Sequence, residues 1–238
     1  MSSVSLSSSA NSPASAGWMR AEHAVGLLGL VLLIVGNAAG LFYAPPERMM
    51  GDVGRILYVH VPAAWLALVT FTLGFAAALG HLLTGRRSFD QYTEATTEVG
   101  ILLTSLLILL GSIFARPTWG VWWNWDPRLT ACAIMLLTYV GVMLLRSAVT
   151  DPERRATWTS VTTILAYVNI PITYYSVKWW RSLHQIQSSP ETMNETMVWV
   201  LRTNAFAFLF LTLWFIAIRR RIALARDLAD APPPLETP

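Results

Sequence analysis

The chain has 238 residues, 54% of them hydrophobic and only 13% charged, with a net charge of +3 and a mean hydropathy of +0.48. Soluble domains carry about 25% charged residues, so this deficit, spread over long uncharged runs, excludes an ordinary soluble globule and points to an integral membrane protein. The single cysteine, Cys132, excludes an internal disulfide or a thiolate metal cluster. The small basic excess reports topology and lipid contact. Nothing in the chain resembles a nucleic-acid module.

Residues 1–20 read as a mobile tail, rich in Ser and Ala at the start. Ala24 to Pro46 has no Asp, Glu, Lys or Arg and is long enough to span the bilayer. Its apolar run exceeds a signal-peptide core of roughly 7–15 residues, which favours a retained helix over a cleaved leader. Five further spans follow at Ile56–Gly85, Val99–Ala115, Leu129–Leu145, Ala156–Val177 and Met197–Ile218. The fifth contains Pro171, which predicts a kink or an end. Between the second and third spans, Asp90, Glu94 and Glu98 share one helix face, read here as solvated. The tail 221–238 is charged, then proline-rich, and is expected to lie in solvent. The expectation is an all-α polytopic membrane protein with six transmembrane helices, residues 21–220 forming one domain.

Orientation follows from Lys and Arg. With the N-terminus inside, ten of these residues fall in inner segments and seven in outer ones, and the block Arg219–Arg221 stays inside. Both termini are therefore predicted to be cytoplasmic. Six spans place the first, third and fifth connections on the outer face, and the four histidines divide accordingly. His60 and His184 lie outside; His23 and His81 lie inside. The third connection, 116–130, reads RPTWGVWWNWDPRLT, with four tryptophans in seven residues. Asp126 before Pro127 is the pattern that starts a helix.

Two imidazoles beside a flat aromatic shelf suit a haem. Histidine is a common axial ligand of the iron, indole faces stack on the porphyrin, and arginines at this face, Arg55 and Arg128 among them, can grip propionates. Zinc would want a third or fourth ligand and has no use for four tryptophans.

The run Trp119-Gly-Val-Trp-Trp-Asn-Trp-Asp126, continuing Pro127-Arg-Leu-Thr130, resembles the WWD motif of the haem-handling proteins of cytochrome c assembly. With YVHVPAAW around His60 and VKWWRSLHQ around His184, the chain from about Gly36 to Arg220 resembles the CcmC family. The resemblance implies that His60 and His184 are the axial ligands of haem iron. It further implies that Trp119, Trp122, Trp123, Trp125 and Asp126 form the haem platform, with Gly120 allowing close backbone approach. A b-type haem, held non-covalently and in transit, would sit at the periplasmic face of the bacterial inner membrane. It would pass to the haem chaperone CcmE, beside the CcmA–CcmB ATP-driven transporter and CcmD. Such a protein binds and transfers haem and is not an enzyme.

Two other classes compete. A self-sufficient haem transporter would be expected to carry ionisable groups within its spans; the middles of these six have none. A b-type respiratory cytochrome subunit would place histidines deep on facing helices, whereas these lie at one surface.

Overall fold

The computed structural model describes residues 13–184 and 193–230. Among them are seven α-helices: α1 (Pro13–Phe42), α2 (Leu57–Thr84), α3 (Arg87–Trp119), α4 (Pro127–Ala148), α5 (Pro152–Tyr167), α6 (Asn169–Trp179) and α7 (Glu195–Ala229). A 3-10 turn at Asp52–Ile56 leads into α2, and the described residues hold no strand beyond an isolated bridge between Glu47 and Gly51. Five of the helices are long and apolar enough to cross a membrane, namely α1 to α4 and α7. The protein is an all-α, polytopic membrane protein.

The fifth predicted span is divided, and its sequence explains why. Pro171 has no N–H, and its ring clashes with the carbonyl four residues earlier, that of Tyr167. The helix breaks there: α5 ends at Tyr167 and α6 starts at Asn169. The interruption is a single residue, Val168, which keeps right-handed helical angles, and both α5 and α6 lie against α4, α6 running toward its start.

Two boundaries differ from the sequence reading. α1 begins at Pro13, so residues 13–20 are helical instead of belonging to a tail, and α7 runs to Ala229, nine residues into the tail expected from 221. Residues 1–12 and 231–238 of the two predicted tails lie outside the described residues.

α2 is the central helix, packed on α3, α5 and α7. Ala63, Ala67 and Ala78 on it are fully buried, the small side chains that let membrane helices approach closely when hydrophobicity offers no drive. α1 packs mainly on α7. That seam holds a buried polar pair, Asn37 Nδ2 donating to Asn204 Oδ1 at 3.1 Å, with Asn204 fully buried.

α3 and α7 have 33 and 35 residues, about 50 Å each at 1.5 Å per residue, against roughly 30 Å of hydrocarbon. The surplus of both lies at one end of the bundle, where the acidic face of α3 is not solvated as expected. Asp90 and Glu94 are buried. Arg146 of α4 reaches Asp90 Oδ1 at 2.7 Å, Glu94 Oε2 at 2.6 Å and Thr159 Oγ1 of α5 at 3.2 Å. Arg226 of α7 also grips Glu94, Arg219 pairs with Glu98, and Arg87 joins Asp227 at 3.1 Å. Acids at four-residue spacing do share a face, but that face turns inward because α4 and α7 bring arginines to it.

Removing one member of such a set strands an opposite charge away from water. Arg146→Met is expected to destabilise the protein by about 3–5 kcal/mol. Arg87→Met, at a more exposed pair, should cost about 1 kcal/mol or less. Denaturant unfolding in detergent, compared with the unaltered chain, measures both.

Candidate functional site

At the opposite end of the bundle α3 closes on Trp119, and Gly120 terminates it. Gly120 has φ +79°, its N–H returns to the Arg116 carbonyl at 3.0 Å, and the Arg116 guanidinium donates to the Gly120 carbonyl. A left-handed helix end strongly favours glycine. A Cβ at Gly120 would meet nothing within 4 Å, so its role inside this chain is to turn the backbone and not to admit a neighbour. The 116–130 segment is thus mostly helix, with Gly120–Asp126 as the loop proper.

His60 lies one turn into α2, its ring against α3. A Cβ on Gly111 would stand 3.2 Å from His60 Cε1, so α3 carries a glycine where the imidazole needs the space. His184 arrives from the other side, after α6. The two ring centroids are 6.5 Å apart and tilted by 39°, and the edge of Trp119 meets His184 at 5.9 Å. Both Nδ1 atoms are buried without a hydrogen-bond partner among the described residues.

Asp126 organises the junction. Its Oδ1 accepts from the Arg128 N–H at 2.9 Å, capping α4 with Pro127 at the first helical position. The same carboxylate, 5% exposed, accepts from Ser182 Oγ at 2.9 Å and from the Leu183 N–H at 2.7 Å. Ser182 Oγ in turn accepts from the His184 N–H at 3.0 Å. The carboxylate that starts α4 therefore also holds the strand of chain bearing His184.

Burial, and then the nearby Arg128 cation, lower the His184 pKa to about 4, with Asp126 opposing. The imidazole is neutral at physiological pH and keeps a lone pair. Since its pKa is lower folded than unfolded, this group contributes stability above about pH 6.5 that is lost as pH falls toward 4.

The arginines divide in use. Arg55 is occupied: it pairs with Asp52 at 2.9 Å and donates to the carbonyls of Gly40 and Ala44, closing the C-terminal end of α1. The side chain of Arg128 is half-buried, makes no ion pair or side-chain hydrogen bond among the described residues, and lies close enough to His184 to affect its charge. Trp123 is half-buried and packs edge-on to Trp125 at 5.9 Å. Trp122 and Trp125 are 60% and 78% exposed, so their faces are open to something outside this chain. Trp179 and Trp180 are also exposed and pair with Tyr175 and each other rather than with the histidines. His23 and His81 lie at the arginine-rich end, His23 beside Trp214 and the buried His81 by the Arg86 carbonyl.

Sequence reasoning passed over Gly111 and Ser182. Ser182 sits two residues before a singled-out histidine, the one local hint. Gly111 has no signal apart from being a glycine inside a helix, which costs about 1 kcal/mol against Ala and needs a reason. Gly111→Val should push the His60 ring from its place and destabilise by about 1–3 kcal/mol through overpacking. A thermal melt together with mass-spectrometric mapping of histidine carbethoxylation, which should rise at His60, checks it.

A family profile described as heme exporter protein C, CcmC, matches residues 6–231. Among similar proteins named heme exporter protein C, that of Bradyrhizobium diazoefficiens is 35% identical over 83% of this chain and 77% of its own length. That of Haemophilus influenzae is 34% identical over 86% and 85%, and that of Escherichia coli K12 is 33% identical over 82% and 80%. Coverage of this extent takes in both histidine segments and the tryptophan loop, and the chain belongs to the heme exporter protein C family of cytochrome c maturation.

Proposed function

We propose that this protein holds haem at the outer, periplasmic face of the bacterial inner membrane and delivers it to the haem chaperone CcmE, in company with CcmA–CcmB and CcmD. The observation that carries the reading is the pairing of His60 and His184, which come from distant segments and meet beside Trp119. Two imidazoles bound on opposite sides of one metal at roughly 2 Å per bond have ring centroids roughly 6 Å apart. The 6.5 Å found here suits that arrangement. Among the described residues no group of three or more His, Cys, Asp or Glu side chains is placed to hold a metal ion by itself, so a pair of imidazoles suits a metal that brings its own equatorial ligands. With one cysteine the chain lacks the C-x-x-C-H pattern of covalent attachment, in keeping with a b-type, transferable haem.

Each group then has a task. Neutral His60 and His184 are the axial ligands. Trp119 and Trp123 back the site, while Trp122 and Trp125 offer open indole faces to the porphyrin or its recipient. Gly120 aims the loop and Asp126 fixes its far end. Arg128 is the cation available for a propionate; Arg55, otherwise engaged, acts by holding α1 to the start of α2. No nucleophile–base pair takes part, so the work is binding and positioning. With both termini cytoplasmic, the arginine-rich end faces inward as the positive-inside rule asks.

Purified protein should carry haem with a six-coordinate, low-spin absorption spectrum, and His60→Ala and His184→Ala should each weaken occupancy and shift it toward high spin. Unchanged spectra in both variants would defeat the ligand assignment. Arg128→Ala should lower haem retention with little effect on thermal stability. Arg55→Ala should do the reverse, lowering the melting temperature more than retention. Haem titration and thermal melts on the same preparations separate the two.

A further inference from the structure

We propose that Asp126 and Ser182 are positioning residues that latch the His184 ligand to the tryptophan loop, so that one axial ligand and the aromatic platform move as a single unit. This rests on the haem reading above.

The geometry supplies more bonds than a helix cap needs. Capping α4 uses one hydrogen bond, from the Arg128 N–H to Oδ1. Two more reach the same carboxylate from a segment 56 and 57 residues away, and they come from Ser182 and Leu183, immediately before His184. Ser182 Oγ is both donor and acceptor: it donates to Asp126 and accepts the His184 N–H. The backbone on the N-terminal side of the ligand is thereby pinned at consecutive residues. His60 needs no such device, because it stands on a helix and leans on Gly111. His184 lies in a segment without helix or strand, where an imidazole would otherwise sample many positions. Charge-assisted bonds to a buried carboxylate are the strong kind, and they tie His184 to the end of the loop that carries Trp122, Trp123 and Trp125. Movement of that loop, as when a haem acceptor docks on its open indoles, would then draw on the His184 bond while leaving His60 in place. Release would proceed through one chosen ligand.

Two substitutions separate latching from capping. Asparagine caps a helix about as well as aspartate, but in Asp126→Asn one oxygen becomes an NH2, which cannot accept from the Leu183 N–H. Ser182→Ala leaves the cap whole and removes the hydroxyl that joins Asp126 to the His184 N–H. Ser182→Thr retains that hydroxyl. The first readout is on the haem-free protein: amide exchange resolved to single residues should accelerate at Leu183 in Asp126→Asn and at His184 in Ser182→Ala. The second is on the haem-loaded protein. Both variants should gain a high-spin component and lose haem to apomyoglobin roughly ten- to hundredfold faster, as expected for a lost bond to a charged group. Ser182→Thr should behave as the unaltered chain, and added imidazole should restore the low-spin spectrum of Ser182→Ala.

Unaltered amide exchange in the haem-free variants overturns the latch. So does a low-spin spectrum and haem loss that neither variant changes, in a protein where His184→Ala does change them. If His184→Ala itself has no effect on the haem spectrum, the ligand reading fails, and the positioning role falls with it even where amide exchange responds. A melting temperature lowered equally by Ser182→Ala and Ser182→Thr, with matching loss of haem, would reduce Ser182 to a packing residue and also overturn the proposal.

Discussion

The Asp126 carboxylate accepts from three donors belonging to two stretches of chain that are far apart in sequence: the first turn of α4, and the segment that follows α6. Much of the site's shape follows from that convergence. It sets where the tryptophan loop ends, where α4 starts and where His184 stands relative to His60. A nearly buried carboxylate is costly unless its lone pairs are filled, and here the segment that follows α6 fills them.

The two ends of the bundle solve opposite electrostatic problems. At the arginine-rich end, charge is matched internally: Asp90, Glu94 and Glu98 are met by Arg146, Arg226 and Arg219, and Asp227 by Arg87. Arginine suits this duty because its planar fork can serve two carboxylates at once. The result ties α3, α4 and α7 together at the end where α3 and α7 exceed the length of the hydrocarbon layer. At the tryptophan end the balance is left open. Among the described residues the two imidazoles have no partner for their Nδ1 atoms and the Arg128 side chain forms no ion pair, and two indoles face outward. One end is closed by its own charges; the other, on the function proposed above, has groups that would receive a flat, anionic, metal-bearing guest.

Fixed and adjustable parts are also divided at that end. His60 is held by helix geometry and by the space Gly111 leaves, so its position is as rigid as the contact between α2 and α3. His184 depends on hydrogen bonds from a short irregular segment. On the function proposed above, a site that must both hold and surrender its cargo would benefit from such asymmetry, since exchange at one ligand would leave the other bound. The aromatic loop is intermediate, anchored by Gly120 at one end and Asp126 at the other, with Trp122 and Trp125 free between them.

The sequence by itself determined the long helical spans, the capping Asp126–Pro127 pair, an interruption of the helix near Pro171 and the placing of His60 and His184 at one end with His23 and His81 at the other. All of these follow from local chemistry, namely hydropathy over a span, turn and cap residues, and the alternation of sides that consecutive crossings impose. It misjudged the acidic face of α3, which looked solvated because its partners lie 52 to 132 residues away. It could not separate Arg55 from Arg128, since both abut helix starts and only the packed bundle presents carbonyls of α1 to one of them. Gly111 beside His60 and Ser182 beneath Asp126 were decided only by the tertiary structure. Such pairings depend on how each helix is rotated and which segments pack together, and the local period of the sequence does not encode that.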